Sequence, residues 1–128
     1  MDKKRTVMVV EPDVLVRMTV ADYLRDCGYT VIEGVAACDV WKVLDSGNPL
    51  DVVLADVKLS DLDGFSLSRR IRQTHANIDV ILTSGISGAA NKSQELCEDG
   101  PIRKPYHPKD VEARIKSLME RRRSSDKS

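Results

Sequence analysis

The feature that most constrains the fold is an apolar run with a carboxylate at its end, Asp51-Val-Val-Leu-Ala-Asp56. Four consecutive apolar residues, Val52 to Ala55, predict a strand buried on both faces, because a half-exposed strand would alternate apolar and polar residues. Asp56 would then end a central parallel strand, where open α/β sheets place their ligands. The turn-forming residues 58–64 that follow end in Gly64, which can adopt a positive φ. Taken alone, an aspartate in this position is more often a turn former or helix cap than a functional group.

The rest of the chain alternates strand-like and helix-like segments. Apolar, β-branched-rich runs predict four more strands, at Thr6–Val10, Tyr29–Glu33, Asp79–Gly85 and Ile102–Lys104. Apolar residues at helical spacing predict helices after Asp13, around Val40 to Leu44, from Phe65 to Ile71, and from Pro108 onward. The segment from Ile86 to Pro101 has few residues for a core, so we expect its helix to be short or frayed. This alternation predicts an α/β fold of (βα)5 type with a parallel sheet, since parallel strands need crossover connections.

Length and composition limit the function classes. The 128 residues, 41% hydrophobic, fit one domain, which we place at residues 1–123 with a disordered tail at 124–128. Lysine plus arginine equal aspartate plus glutamate at 20 each, so apart from the run Arg121–Arg123 nothing suggests a nucleic-acid surface. There is no long apolar stretch and no signal-peptide pattern, so we expect a cytoplasmic protein without a membrane partner. The three cysteines lack metal-ligand spacing and are expected to be reduced.

Polar side chains follow several of the predicted strands. Because the carboxyl ends of parallel strands share one edge of the sheet, we expect these residues to converge there. They are Glu11, Asp13, Asp56, Ser84 and Lys104. Clustered carboxylates favour a hard divalent cation such as Mg²⁺, while a lysine and a hydroxyl suit the other oxygens of a phosphoryl group. Together the residues predict a site for phosphoryl chemistry.

Over residues 5–120 the chain resembles the receiver domains of two-component response regulators, in particular the chemotaxis-regulator type. The resemblance implies a flavodoxin-like, doubly wound five-stranded sheet of order 2-1-3-4-5. It implies Asp56 as phosphoacceptor, Ser84 in Leu-Thr-Ser-Gly as the switch hydroxyl, and Lys104 in Arg-Lys-Pro-Tyr as the family's lysine. It further implies Mg²⁺ as cofactor, held by Asp56, the Val57 carbonyl and acidic residues after the first strand.

Three features of the sequence depart from the family pattern. Pro12 occupies the second position of the usual acidic pair, which leaves Glu11, helped by Asp13, to hold the metal or weakens metal binding. If the strand pleat continued through Pro12, both side chains would point to the same face. Pro101 stands where an aromatic switch residue is usual, and the segment between Ser84 and Lys104 is shorter than usual by about two residues, in line with the weak helix read from its composition.

The leading functional hypothesis is a single-domain receiver, not otherwise an enzyme, that takes a phosphoryl group from a sensor histidine kinase or histidine phosphotransfer protein. It would then switch a surface that binds a downstream protein, acting as a monomer or weak dimer. The alternative is a pseudo-receiver, a binding module left unphosphorylated because of Pro12. A phosphatase-like or flavodoxin-like enzyme is not supported, because Lys58 and Glu-Pro-Asp stand where such proteins need a second aspartate or a phosphate loop.

Overall fold

The computed structural model describes residues 5–85 and 100–126, with side chains described only up to Arg123. Within these residues the chain forms five strands and four helices. The strands are β1 Thr6–Val10, β2 Thr30–Gly34, β3 Val52–Asp56, β4 Asp79–Ser84 and β5 Ile102–Arg103. The helices are α1 Val14–Asp26, α2 Ala37–Asp45, α3 Gly64–Thr74 and α4 Pro108–Asp126. The expected short helix between Ile86 and Pro101 falls largely outside the described residues.

The sheet is parallel throughout, in the order β2-β1-β3-β4-β5. The fold class and strand order are therefore confirmed. Val10 pairs with Ala55, Asp56 with Thr83, and Ser84 with Arg103. This register brings the residues that follow β1, β3 and β5 to the same edge of the sheet.

Both faces of the sheet are covered, which explains the uninterrupted apolar runs. Val7 and Val9 point to one face, where they pack with α1 and α4 around Leu24 and Ile115. Met8 and Val10 point to the opposite face and pack in the cluster formed with α2 and α3. All five residues of β3 are buried. The sequence predicted this for Val52 to Ala55, whereas Asp56 was expected to lead into an exposed loop and is instead buried.

Helix boundaries mostly follow their capping residues. Asp13 caps α1 and Gly28, with φ of 102°, follows its last turn. The structure corrects the predicted end of the last helix. Residues 124–126, which were expected to belong to a disordered tail, continue α4 to Asp126. Beyond Pro108 the chain contains no glycine or proline that would end the helix.

Candidate functional site

Asp56 is a buried carboxylate held by two donors. It ends β3 at the centre of the sheet and is 7% exposed. Its Oδ1 accepts a hydrogen bond of 2.7 Å from the backbone N–H of Lys58, and its Oδ2 lies 2.6 Å from Lys104 Nζ. The carboxylate therefore has a fixed orientation toward the loop that follows β3.

Glu11 supplies the second buried carboxylate, directly after β1, and is 4% exposed. Its Oε1 forms an ion pair with Lys104, and its Oε2 accepts a hydrogen bond of 3.0 Å from the N–H of Asp13. Its own N–H donates to the carbonyl of Gly34 at 3.0 Å, which continues the β1–β2 pairing by one residue. Glu11 is thereby fixed by both backbone and side chain.

Lys104 bridges the two carboxylates from the end of β5, where its N–H donates to the Ser84 carbonyl at 2.8 Å. Burial alone would lower the pKa of its ammonium group. The hydrogen bonds and charges of Asp56 and Glu11 outweigh burial and raise the pKa of Lys104 above its ordinary value. Lys104 is therefore a permanent cation at the centre of the site.

Asp13 does not join this cluster of charges. Its Oδ1 accepts from the N–H groups of Leu15 and Val16 at 2.9 and 3.2 Å, and the residue is exposed. The strand ends at Val10, and the unsatisfied N–H groups of the first turn of α1 draw the carboxylate to the helix. A metal role for Asp13 stays a prediction that this geometry does not support.

Val57 directly follows Asp56, and Ser84 directly follows Thr83, the residue of β4 that pairs with Asp56. Ser84 ends β4 and is 9% exposed. The Val57 carbonyl accepts a hydrogen bond of 2.9 Å from the N–H of Gly64, so one of its lone pairs is already used. Of the predicted ligands, the carboxylates of Asp56 and Glu11 are the stronger metal candidates.

Gly64 has a role that the sequence analysis misjudged. Its φ is not positive, so conformational freedom is not what the position requires. A Cβ atom there would lie 2.6 Å from the Asp56 carbonyl oxygen and 2.8 Å from Val57 Cα. The glycine allows α3 to begin against the backbone of the residues that carry the site.

Two further residues near the site were not singled out from the sequence. Tyr106 lines an apolar cavity of about 350 Å³ between α1 and Lys104, and burial and the negative charge of Glu11 raise its pKa to about 12. Asp61, in the loop after Asp56, accepts hydrogen bonds from the first turn of α2. The sequence feature that could have indicated this role of Asp61 is Ala36, because an alanine at the N-cap position cannot accept a hydrogen bond from the first turn of α2.

A divalent cation fits this site in one respect. The carboxylates of Asp56 and Glu11 already converge on one cationic nitrogen, and one ammonium group leaves the pair with one formal negative charge. Mg²⁺ uses one or two carboxylates and keeps several waters, so two protein carboxylates are sufficient.

The described residues contain no cluster of three or more histidine, cysteine or acidic side chains that could hold a metal.

Similar proteins share both the sequence pattern and the fold. Sensor kinase CckA of Brucella abortus is 32% identical over 91% of this chain, and PhoP, a virulence transcriptional regulatory protein of Salmonella typhimurium, is 32% identical over 90%. The chain spans 13% and 52% of the lengths of these relatives.

Solved structures match more evenly in length. A CheY-like receiver domain protein from Methanospirillum hungatei has a TM-score of 0.80 and 21% identity, covering 96% of this chain and 99% of its own. The receiver domain of the TMAO respiratory system response regulator TorR has a TM-score of 0.77 and 24% identity, covering 91% and 98%. At these identities the structures show the fold.

Among the described helices, none combines the length and the apolar character that a membrane span requires.

The family model for the response regulator receiver domain matches residues 7–116, most of the chain. This chain therefore belongs to the receiver domain family of two-component response regulators.

Proposed function

We propose that this receiver domain accepts a phosphoryl group on Asp56 from a phosphohistidine of a sensor histidine kinase or histidine phosphotransfer protein. The observation that carries the proposal is the 2.6 Å contact between Lys104 Nζ and Asp56 Oδ2, in a buried site with Glu11 as second carboxylate. A lone aspartate in a turn needs no partly buried lysine and no second acid beside it. Their combination favours a site in which Lys104 balances the negative charge that a phosphoryl group would add to Asp56.

In the transfer, a carboxylate oxygen of Asp56 attacks phosphorus, an O–P bond forms and the P–N bond to the donor imidazole breaks. The imidazole nitrogen leaves with the electron pair of the broken bond. Lys104 and the Lys58 N–H both contact the acceptor carboxylate, and in the proposed reaction they would stabilise the charge that develops on the phosphoryl oxygens. The Ser84 hydroxyl, at the end of the neighbouring strand, is the candidate donor to a further oxygen.

Mg²⁺ held by Asp56 and Glu11 would neutralise phosphoryl oxygens during the transfer. The added phosphoryl charge would draw Lys104 and Ser84 inward and alter the surface near β4 and β5, which we propose as the surface that a downstream protein reads.

The test is mass spectrometry after incubation with acetyl phosphate, with and without Mg²⁺. We expect one added phosphoryl group that depends on Mg²⁺ and is missing from Asp56→Asn. A singly phosphorylated Asp56→Asn protein would show that the acceptor is another residue.

Metal binding is tested separately by calorimetric titration with Mg²⁺. We expect Glu11→Gln to bind about tenfold more weakly than wild type, since few protein ligands are present. Asp13→Asn is the matched control and should change affinity little, because its side chain caps α1 and asparagine caps helices equally well. Unchanged binding in Glu11→Gln would place the cation elsewhere.

One observation favours a second candidate, a binding module that is not phosphorylated. Lys104 pairs with both buried carboxylates, and Pro12 removes one acidic ligand. Absence of any Mg²⁺-dependent phosphorylation of wild type by acetyl phosphate and by a phosphohistidine donor would support this candidate over the first.

A further inference from the structure

The first two N–H groups of α2 are capped from outside the helix, whereas Asp39 in its own first turn accepts from the N–H groups of Val35 and Ala36. Ala36, at the position before its first residue, has extended backbone geometry and no side-chain acceptor. The N–H groups of Ala37 and Cys38 instead donate to Oδ1 and Oδ2 of Asp61, at 2.9 Å each. Asp61 lies 24 and 23 residues further along the chain, in the loop between β3 and α3. One carboxylate thereby joins two separate elements.

This contact is charge-assisted. The hydrogen bonds from the backbone of Cys38 and Ala37 hold the pKa of Asp61 below its ordinary value, so the carboxylate is ionised near neutral pH. A negative charge at the amino end of a helix also interacts favourably with the helix dipole. A serine at position 36 could supply a local cap without involving the loop.

The loop that Asp61 fixes is the one that follows the acceptor. Its first residues are set by the hydrogen bond from Val57 N–H to Thr83 O, and its last by that from Gly64 N–H to Val57 O. Between these ends, the Lys58 N–H donates to Asp56 Oδ1 at 2.7 Å. Asp61 stands three residues beyond Lys58, so its attachment to α2 restricts the path of the chain on which the Lys58 amide depends.

We propose that Asp61 is a positioning residue for phosphoryl transfer: by attaching the loop of residues 57–63 to α2, it holds the Lys58 amide against the acceptor carboxylate. This inference rests on the proposed function. The Lys58 N–H donates to Oδ1 of Asp56 and so orients the attacking carboxylate, and a hydrogen bond orients its acceptor only while the donor itself is held in place. The helix cap and the reaction therefore share one side chain.

The test separates the two roles. Asp61→Ala removes both the cap and the attachment, whereas Asp61→Ala combined with Ala36→Ser returns a cap to α2 from its own N-cap position. We expect the single variant to lose stability in urea and to phosphorylate more slowly. The double variant should regain most of the stability but remain about 3- to 10-fold slower in phosphorylation by acetyl phosphate, at an unchanged half-saturating concentration. Its Lys58 amide should also exchange faster with solvent.

Val40→Ala is the matched control, since it weakens α2 from the buried side and leaves both hydrogen bonds to Asp61 in place. If Ala36→Ser restores too little stability, the rate of the double variant is compared with that of Val40→Ala, which should phosphorylate as wild type does. A double variant with the rate and Lys58 exchange of wild type would overturn the inference while Asp56 phosphorylation stands. Failure of wild type to be phosphorylated at all would overturn the proposed function and this role together, and Lys58 exchange would then report only on loop attachment.

Discussion

At the scale of single residues, the site is a small charge-balanced cluster whose geometry is fixed by backbone groups. Asp56 and Glu11 each use one oxygen for Lys104 and the other for a backbone N–H. These four interactions satisfy both buried carboxylates, which would otherwise be costly to bury. Backbone position therefore controls the site as much as side-chain identity does.

Gly64 allows a direct test of that control. We expect Gly64→Ala to destabilise the fold by roughly 1–3 kcal/mol, because its Cβ would contact the backbone of Asp56 and Val57 and these atoms cannot rotate away. Phosphorylation by acetyl phosphate should slow as well. Gly85→Ala is the control, since a Cβ there meets no described atom within 4 Å. Equal urea midpoints for the two variants would contradict the steric argument.

The cap of α3 gives a prediction about pH. The hydroxyl of Ser66, at 2.7 Å, and its backbone N–H, at 2.9 Å, lower the pKa of Asp63. A carboxyl with a lowered pKa in the folded state contributes stability above its unfolded pKa of about 3.9, and that contribution is lost as pH falls through the folded value. We expect Ser66→Ala to raise the pKa of Asp63 in an NMR titration. The variant should also lose less free energy of unfolding than wild type as the pH falls below about 4. An unmoved Asp63 titration would show that the hydroxyl is not the main cause.

At the scale of elements, α4 is attached to the opposite edge of the sheet from the site. Arg122 Nε lies 2.7 Å from Asp79 Oδ2 and Arg122 Nη2 lies 3.0 Å from Asp79 Oδ1, at the first residue of β4. A third hydrogen bond of Arg122, of 3.0 Å, reaches the Ala76 carbonyl. This paired geometry fixes the last turns of α4, where few apolar residues remain.

We expect Arg122→Ala to lower the free energy of unfolding by about 1–2 kcal/mol, more than an exposed ion pair would, because Asp79 is mostly buried and its pairing is bidentate. The exposed Arg123→Ala is the control and should change stability by less than about 0.5 kcal/mol. Urea denaturation at low and moderate salt measures both. Equal effects of the two substitutions would mean that the pair contributes no more than a surface charge.

At the scale of the whole molecule, the two core clusters are separated by the sheet yet share its strands. Ile115 of α4 belongs to one cluster and Ile71 of α3 to the other, and both are fully buried. Alternate residues of the same strand serve the two faces, so neither cluster exists without the other. The protein should therefore unfold as one cooperative unit.

We expect Ile71→Val and Ile115→Val each to cost about 0.5–1.5 kcal/mol, and the double variant to cost their sum within about 0.5 kcal/mol, since the two side chains do not touch across the sheet. Urea unfolding followed by fluorescence and by circular dichroism should give one coincident transition for all three variants. Separate transitions for the two probes would show that the faces unfold independently.

Much of this architecture could be predicted from the sequence because it follows from local pattern. The apolar runs at Thr6–Val10 and Val52–Ala55 specify strands buried on both faces wherever the chain places them. Parallel pairing then brings the residues after each strand to one edge, which is why Glu11, Asp56 and Lys104 were predicted to meet. The periodicity of the side chains and the topology of a parallel sheet were sufficient to predict that these residues meet.

What the tertiary structure decided depends on contacts between residues distant in sequence. Asp13 was predicted to face the cation with Glu11, but the free N–H groups of α1 bind its carboxylate instead. Gly64 is required by the approach of α3 to the backbone of β3, and Asp61 caps a helix that begins more than 20 residues before it. Sequence periodicity carries no information about which unsatisfied backbone group lies nearest in space, because only the packed elements bring donor and acceptor together.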